Sequence, residues 1–234
     1  MRELSKEFFE RLGQVDTPTI CNAIEVAQKK RGFNNFTHKQ MVSTEPDAPA
    51  VVGYAVTARI RGKTAPTDSP ETLKERRMAY YRYVAEASQP SVVVIEDSDG
   101  DEACAAFWGE INTNVHKGLG LKGVVTNGVV RDLGDLPKGF PVIAGCVGPS
   151  HGFVHLLEFD QPVSLYGMDV KPGDLIHADR HGACVIPADI HDQLDAALDS
   201  LVRSESIILD AARKPGFDFV AFEAAWAAFE ASRT

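Results

Sequence analysis

The sequence predicts an α/β fold. Short β-branched runs such as 91–96, typical of buried strands, alternate along the chain with longer segments in which apolar residues recur at helical spacing. Turn signals separate them, and the clearest is the Pro172-Gly173-Asp174 sequence between two strand-like segments. Because no internal repeat or low-complexity linker interrupts the 234 residues, we expect one α/β domain with antiparallel additions over residues 1–234.

Helix-start and loop signals define the predicted elements in the first half of the chain. Asp16-Thr17-Pro18 is a typical helix start, and Pro70-Glu71 opens a polar helix. Residues 31–50 are rich in Gly, Asn and Pro and indicate a loop. The predicted elements are helices at 4–12, 16–30 and 70–87, and a strand at 51–60.

The second half of the chain again combines predicted strands with predicted helices, and it ends in helices. A helix is predicted over 103–119, with Ala106, Phe107, Ile111 and Val115 on one side. Predicted strands cover 91–96, 122–128, 140–145, 153–159, 162–170, 175–178 and 183–187. From residue 188 to 232 the pattern is helical, with a break at Pro215-Gly216.

Composition and charge exclude several classes of function. With 33 acidic against 24 basic side chains the formal net charge is −9, and an acidic surface repels a phosphate backbone, so we expect no nucleic acid partner. No apolar run approaches the length of a membrane span, and the first residues lack the apolar core of a signal peptide. Four widely spaced cysteines predict reduced thiols and a cytoplasmic location.

The densest chemical signal lies between Trp108 and Asp132. Gly109-Glu110 falls at the start or middle of a predicted helix, and Arg131-Asp132 follows a predicted strand that ends at a glycine. Ligands of α/β proteins bind where strands end. An aspartate there can hold a hard divalent cation, and an arginine can bind a carboxylate and stabilise charge on a substrate oxygen. An exposed Arg-Asp turn without any function would leave the same pattern.

These residues carry a resemblance. Gly109-Glu110, twenty further residues and Arg131-Asp132-Leu133, preceded by the run 123–130, resemble the signature of the RraA-like family. The likeness continues through Pro172-Gly173-Asp174-Leu175 and covers most of residues 17–190. That family includes metal-dependent (class II) aldolases acting on 4-hydroxy-4-methyl-2-oxoglutarate and 4-carboxy-4-hydroxy-2-oxoadipate, and also the regulator of ribonuclease E activity.

The resemblance implies a role for each matching residue. Asp132 would ligate Mg²⁺ or Mn²⁺, and Glu110 would reach the metal through water. Arg131 would bind the 2-oxo acid and stabilise its enolate. The backbone N–H groups of Ile111 and Asn112 would bind the pyruvyl carboxylate at a helix start.

The resemblance also implies an architecture. It predicts a swivelling β/β/α, phosphohistidine-domain-like fold with a core at about 17–190 and flanking C-terminal helices at 188–232. It predicts trimers, sometimes hexamers, with sites between subunits, where a neighbouring subunit lends a glutamate; Glu205 is the candidate. Two departures bear on the site: the aldolases carry aspartate where Glu110 stands, and many members carry Asp-Gly where this chain has Asn127-Gly128.

A further departure is the stretch Ser150-His151-Gly152-Phe153-Val154-His155, which differs from the aldolases after Pro149. On an extended strand, His151 and His155 would share a face about 13 Å apart, too far to ligate one ion unless the loop folds back. They are either hydrogen-bonded histidines near a subunit contact, or residues that bind the distal part of a substrate or act as a base.

The expected activity is retro-aldol cleavage of a 4-hydroxy-2-oxo acid to pyruvate, with oxaloacetate decarboxylation as a related reaction. Both reactions leave an enolate, which a divalent cation and Arg131 would stabilise. The alternative is a non-catalytic regulator that keeps the fold and the trimer and binds a ribonuclease or a helicase through its acidic exterior.

Overall fold

A computed structural model describes residues 4–232 of the chain. These residues form two compact units, the first built from residues 4–18 and 34–188 and the second from residues 19–33 and 189–232. None of the helices within 4–232 combines the length and apolarity that a membrane crossing requires. The expectation of one domain over residues 1–234 stays a prediction.

The first unit is built on an eight-stranded mixed sheet. Its strands are β1 (Val42–Ser43), β2 (Val51–Arg61), β3 (Ser91–Asp97), β5 (Val124–Thr126), β7 (Val142–Ala144), β9 (His155–Phe159), β12 (Leu175–Asp179) and β13 (Gly182–Ile186). They are ordered β1-β7-β5-β3-β2-β12-β13, and β9 also pairs with β2. The pairs β2–β3, β3–β5 and β5–β7 are parallel and the others antiparallel, which confirms the α/β prediction with antiparallel additions.

The β-branched run of β3 is explained by burial on both of its faces. Val93 and Ile95 belong to one hydrophobic cluster, and Val92 and Val94 belong to another. Because successive side chains of a strand point to opposite faces, a strand covered on both sides needs apolar residues without alternation.

Two smaller sheets complete the first unit. A hairpin joins β10 (Val163–Leu165) to β11 (Met168–Val170), where the sequence had predicted one strand over 162–170. Three short parallel strands, β4 (Ala106–Trp108), β6 (Val129–Val130) and β8 (Cys146–Val147), form the other sheet. The chain passes from β7 into β8 at Gly145, where a Cβ would lie 2.3 Å from the carbonyl oxygen of Asn127, so the crossing requires glycine.

Three helices belong to the first unit and three mainly to the second. The former are α1 (Lys6–Gly13), α3 (Pro70–Ala85) and α4 (Glu110–Gly118). The latter are α2 (Thr17–Gln28, of which the part from Thr19 lies in the second unit), α5 (His191–Ala212) and α6 (Phe219–Ala231). The helices predicted at 4–12, 16–30, 70–87 and 188–232 are confirmed, and α5 packs against α6.

The predicted helix over 103–119 was wrong in its first turns. Residues 106–108 form β4, and the helix begins only at Glu110, after an extended Gly109. The side chains of Phe107 and Trp108 are buried by the strand, whereas Ile111 of the predicted apolar face is 74% exposed. An apolar run read at helical spacing cannot distinguish a strand-to-helix junction from one long helix.

The buried side chain of His116 holds α4 in place. The Nδ1–H of His116 donates to the Asn112 carbonyl oxygen (2.6 Å), so Nε2 of the neutral ring accepts from the Tyr80 hydroxyl (2.8 Å). The ring also packs edge-on against Trp108, with 4.7 Å between centroids. Burial lowers the pKa of His116 to about 4.

We therefore expect acid to weaken the fold through His116. Between pH 6.5 and about 4 the unfolded chain binds a proton that the folded chain excludes, so this contribution falls as the pH falls, by about 3 kcal/mol at most. The free energy of unfolding of wild type minus that of His116→Gln, from urea titrations at pH 4.5 to 7.5, should shrink toward acid. A difference that is constant with pH would contradict the assignment.

Candidate active site at the ends of β4 and β6

The predicted Arg131-Asp132 pair lies directly after β6. The Arg131 N–H donates to the Trp108 carbonyl oxygen (2.8 Å), which extends the pairing of β6 with β4 up to the turn. Asp132 then adopts a left-handed backbone conformation with φ of 57°, which aspartate tolerates better than most residues. The two side chains are neighbours, with 3.5 Å between Arg131 Nε and Asp132 Oδ2, and each is about one-third exposed (32% and 34%).

The amino end of α4 meets this turn. The Glu110 N–H donates to Asp132 Oδ2 (3.1 Å), so the aspartate caps the helix from another strand. The N–H groups of Ile111 and Asn112 have no hydrogen-bond partner among residues 4–232. They point out of the positive end of the helix dipole and suit a carboxylate.

The side chains of Glu110 and Asn112, at the start of this helix, differ in whether hydrogen bonds fix them. The Glu110 side chain is exposed beside the turn. The Asn112 side chain is fixed, because its Nδ2 donates to the Phe107 carbonyl oxygen (2.6 Å) and its Oδ1 accepts from the Tyr81 hydroxyl (2.7 Å). Asn112 can therefore offer a ligand its backbone N–H but not its amide.

Gly109 makes the close approach possible. A Cβ at this position would lie 2.5 Å from Asp132 Oδ2 and 2.9 Å from Arg131 Nε. Arg131 Nε is itself buried and without a hydrogen-bond partner in the described chain. The Asp132 carboxylate lies 3.5 Å from this Nε, so the exposed third of the Arg131 side chain is the part that an anionic ligand can meet.

The turn suits a hard divalent cation better than a zinc ion. Asp132 offers a partly exposed carboxylate, and Glu110 can add a second one through water. No group of three His, Cys, Asp or Glu side chains within residues 4–232 is arranged to hold a metal. Mg²⁺ and Mn²⁺ are commonly held by one or two carboxylates, waters and substrate oxygens, whereas zinc takes three or four protein ligands.

Asp97, at the end of β3, is a buried carboxyl that the sequence analysis did not single out. It is 1% exposed; its Oδ1 accepts from the Asp99 N–H (3.0 Å), and its Oδ2 has no partner among the described residues. Burial raises its pKa to about 6. An acidic residue directly after a buried strand was the available signal.

The Asn127 departure has a structural reason. Asn127 Oδ1 accepts from the Asp97 N–H (2.7 Å) and Nδ2 donates to the Asp97 carbonyl oxygen (2.9 Å), which ties the end of β5 to that of β3. An aspartate could accept but not donate here. Asn127 is thus a buried residue whose side chain joins the ends of these two strands.

His151 and His155 lie closer than the extended spacing predicted. The Val154 N–H donates to the His151 carbonyl oxygen (3.0 Å), so the chain turns between the two histidines. Both line a cleft of about 320 Å³, together with Arg77 of α3, and no residue of the Arg131–Asp132 turn lines it. Their role in binding substrate stays a prediction.

Two further features concern other residues than those of the turn. Glu205 is a half-buried residue of α5 in the second unit, and its contribution to a neighbouring subunit stays a prediction. A cavity of about 1140 Å³ is mainly apolar and opens at the amino ends of the parallel strands, opposite the edge where ligands of α/β sheets bind. Size alone therefore does not locate the chemistry.

The fit around Gly109 can be tested by one added methyl group. Gly109→Ala should push the Asp132 carboxylate off the Glu110 N–H and lower the free energy of unfolding by about 1–2 kcal/mol, the usual value of a lost helix cap. Gly134→Ala is the matched control, because nothing lies within 4 Å of its Cβ position. Equal unfolding midpoints in urea for the two variants would contradict the close approach.

Comparison with known proteins identifies relatives of the chain. A protein from Halalkalibacterium halodurans, named "Putative 4-hydroxy-4-methyl-2-oxoglutarate aldolase", is 30% identical over 189 residues, covering 80% of each chain. The DlpA protein of Legionella pneumophila is 33% identical over 112 residues, which are 46% of this chain and only 18% of DlpA.

Solved structures share the fold. RraAS2 of Streptomyces coelicolor, described as an unusual member of the RNase ES inhibitor RraA protein family, superposes with a TM-score of 0.65 at 21% identity, covering 92% of this chain and all of that one. A protein from Pseudomonas syringae superposes with a TM-score of 0.71 at 21% identity. The superposition covers 97% of this chain and 96% of that one. The RraA-like family model, described as Aldolase/RraA, matches residues 17–185, and the chain therefore belongs to the RraA-like family.

Proposed function

We propose that the protein is a divalent-metal-dependent lyase that cleaves a 4-hydroxy-2-oxo acid to pyruvate and also decarboxylates oxaloacetate. The observation that carries the proposal is the convergence of the Arg131 guanidinium, the Asp132 carboxylate and the free N–H groups of α4 at one turn. The name of the H. halodurans relative supports the same reaction class.

The residues of the turn divide the work of binding. The N–H groups of Ile111 and Asn112 receive the substrate carboxylate, and the exposed part of the Arg131 side chain donates to the 2-oxo oxygen. Asp132, with Glu110 through water and a residue such as Glu205 of a neighbouring subunit, would hold Mg²⁺ or Mn²⁺. When bound, that ion acts as a Lewis acid toward the carboxylate and the 2-oxo oxygen.

Proton transfer falls to Glu110. In the retro-aldol reaction the C4 hydroxyl loses its proton, the C3–C4 bond breaks, and its electron pair forms an enolate whose oxygen is stabilised by Arg131. Glu110, acting through an ordered water, accepts the hydroxyl proton and returns a proton to C3, which yields pyruvate and a carbonyl fragment. Oxaloacetate instead loses CO₂ from C3, so no hydroxyl proton has to be removed.

Assembly into trimers or hexamers with shared sites is part of the proposal. Within residues 4–232 too few ligands converge to enclose an ion. Ile111, Val115 and Leu133 beside the turn are exposed apolar side chains, at 74%, 38% and 54%. Apolar surface rimming a polar site is typical of a subunit contact.

The metal-dependent reaction can be tested with 4-hydroxy-4-methyl-2-oxoglutarate and oxaloacetate, by measuring pyruvate with Mg²⁺ or Mn²⁺ and after EDTA. Turnover should vanish with EDTA and return with metal. Arg131→Gln should lower kcat by about 10²–10³-fold, because it removes a donor to the developing oxyanion. Asp132→Asn should lose activity, whereas Asp135→Asn, an exposed acid on the same turn, should not.

The role of Glu110 predicts a split between the two reactions. Glu110→Gln should lower kcat for retro-aldol cleavage by at least about 10²-fold, since it removes the proton acceptor, and should affect oxaloacetate decarboxylation much less. The ratio of the two kcat values, measured on one preparation, checks this. Equal losses would assign Glu110 to metal or substrate binding instead.

The non-catalytic alternative gives the opposite result. Lack of turnover on such acids, together with tight binding to a ribonuclease or a helicase, would identify a regulator. The net charge of −9 is the feature of this chain that suits a basic partner.

A further inference from the structure

The cleft between α3 and the 151–155 turn is the second place where chemically able side chains converge. Its volume of about 320 Å³ suits a small organic ion. Arg77, His151 and His155 line it, and Leu73 and Phe153 contribute apolar wall. No acidic side chain lines it, in a chain that carries 33 acidic residues against 24 basic ones.

Arg77 differs from the other arginines of this surface. Arg59 pairs with Glu96 (3.1 Å) and with Glu158, Arg61 lies 3.6 Å from Asp99, and Arg76 lies 2.8 Å from Asp68. Arg77 makes no hydrogen bond or ion pair within residues 4–232. Its guanidinium is thus a positive charge at this cleft with which no carboxylate of the described chain forms an ion pair.

His151 and His155 each have the Nε2 atom of the ring available to a ligand. Nδ1–H of His151 donates to the Gly152 carbonyl oxygen and Nδ1–H of His155 to the Phe153 carbonyl oxygen, both at 2.8 Å. Nε2 of each ring is therefore the atom left for a ligand, and it donates only when the ring is protonated. The other charged groups around His155 are Arg61, opposite it on β2, and Arg76, which binds the Leu156 carbonyl oxygen; both already face carboxylates.

The turn that carries the histidines is already formed. The Phe153 N–H donates to the Gly62 carbonyl oxygen (2.9 Å) and the Ala106 N–H to the Ser150 carbonyl oxygen (2.8 Å). Gly152 has a φ of 49°, and a Cβ there would lie 2.8 Å from the Ala105 Cβ. A ligand would meet a preorganised site and would not have to order the loop.

We infer that this cleft binds a compact anionic group, a carboxylate or a tetrahedral oxyanion, between Arg77 and the two histidines. Arg77 supplies the permanent charge, and each histidine, in its imidazolium form, adds an Nε2–H donor. The inference does not depend on the lyase reaction, because none of the turn residues takes part.

The test is calorimetric titration of the full chain with sulfate and with glutarate, at constant pH and ionic strength. We expect one saturable site per chain. The tighter of the two ligands identifies the oxyanion class. No saturable binding of either ligand would overturn the inference.

Three variants separate the cleft from other sources of charge. Arg77→Gln should weaken binding about tenfold. Arg82→Gln, which removes an exposed charge from the same helix outside the cleft, should leave binding unchanged, and Arg131→Gln should retain it. Equal losses in Arg77→Gln and Arg82→Gln would indicate general charge attraction, and loss in Arg131→Gln would place the anion at the Arg131–Asp132 turn. Thermal melts confirm that each variant is folded.

Discussion

The arrangement of the candidate active site depends on the hydrogen bond from the Glu110 N–H to the Asp132 carboxylate. It joins the first residue of α4 to the turn after β6, two segments that are twenty-two positions apart in the chain. It forms because Gly109 lacks a side chain and lets the ends of β4 and β6 approach. The free amide groups of the helix, the guanidinium and the carboxylate then face one space, which a longer residue at 109 would fill.

The surroundings of this turn contain polar groups that folding alone does not favour. Among the described residues, Asp97 keeps an unpartnered oxygen and Arg131 Nε has no acceptor within hydrogen-bond distance. Each lowers stability relative to an apolar or fully paired residue. Structures tolerate such groups mainly where they serve binding or catalysis, which agrees with their location along the edge where strands end.

Local sequence signals predicted most of the architecture. The β-branched run of β3, the Pro-Gly-Asp turn and the capping signals of α2 and α3 are local, so they identify elements without knowledge of the fold. The strand-to-helix junction at Ala106–Glu110 was not predicted, because its apolar residues fit both a strand and a helix. Only burial against the sheet distinguishes the two structures. The specific likeness to a phosphohistidine domain stays a prediction.

The site was predictable in composition but not in its contacts. Arg131 and Asp132 followed from the strand end and the family signature, and the structure brings them together with Glu110. The connection between strand ends made by Asn127, the cap made by Asp132 and the proximity of His151 and His155 depend on contacts between distant segments or on a turn without a strong sequence signal. Arg77 has no sequence signature at all, since being unpaired is a property of its surroundings.

The buried carboxyl of Asp97 also changes how the charge of the protein should be read. A formal count of −9 treats every aspartate as ionised, but a group with a pKa of about 6 is half neutral in mildly acidic solution. As it becomes neutral, the strand edge next to the Arg131–Asp132 turn repels anions less. An anion that approaches this edge of the sheet then meets a lower electrostatic barrier.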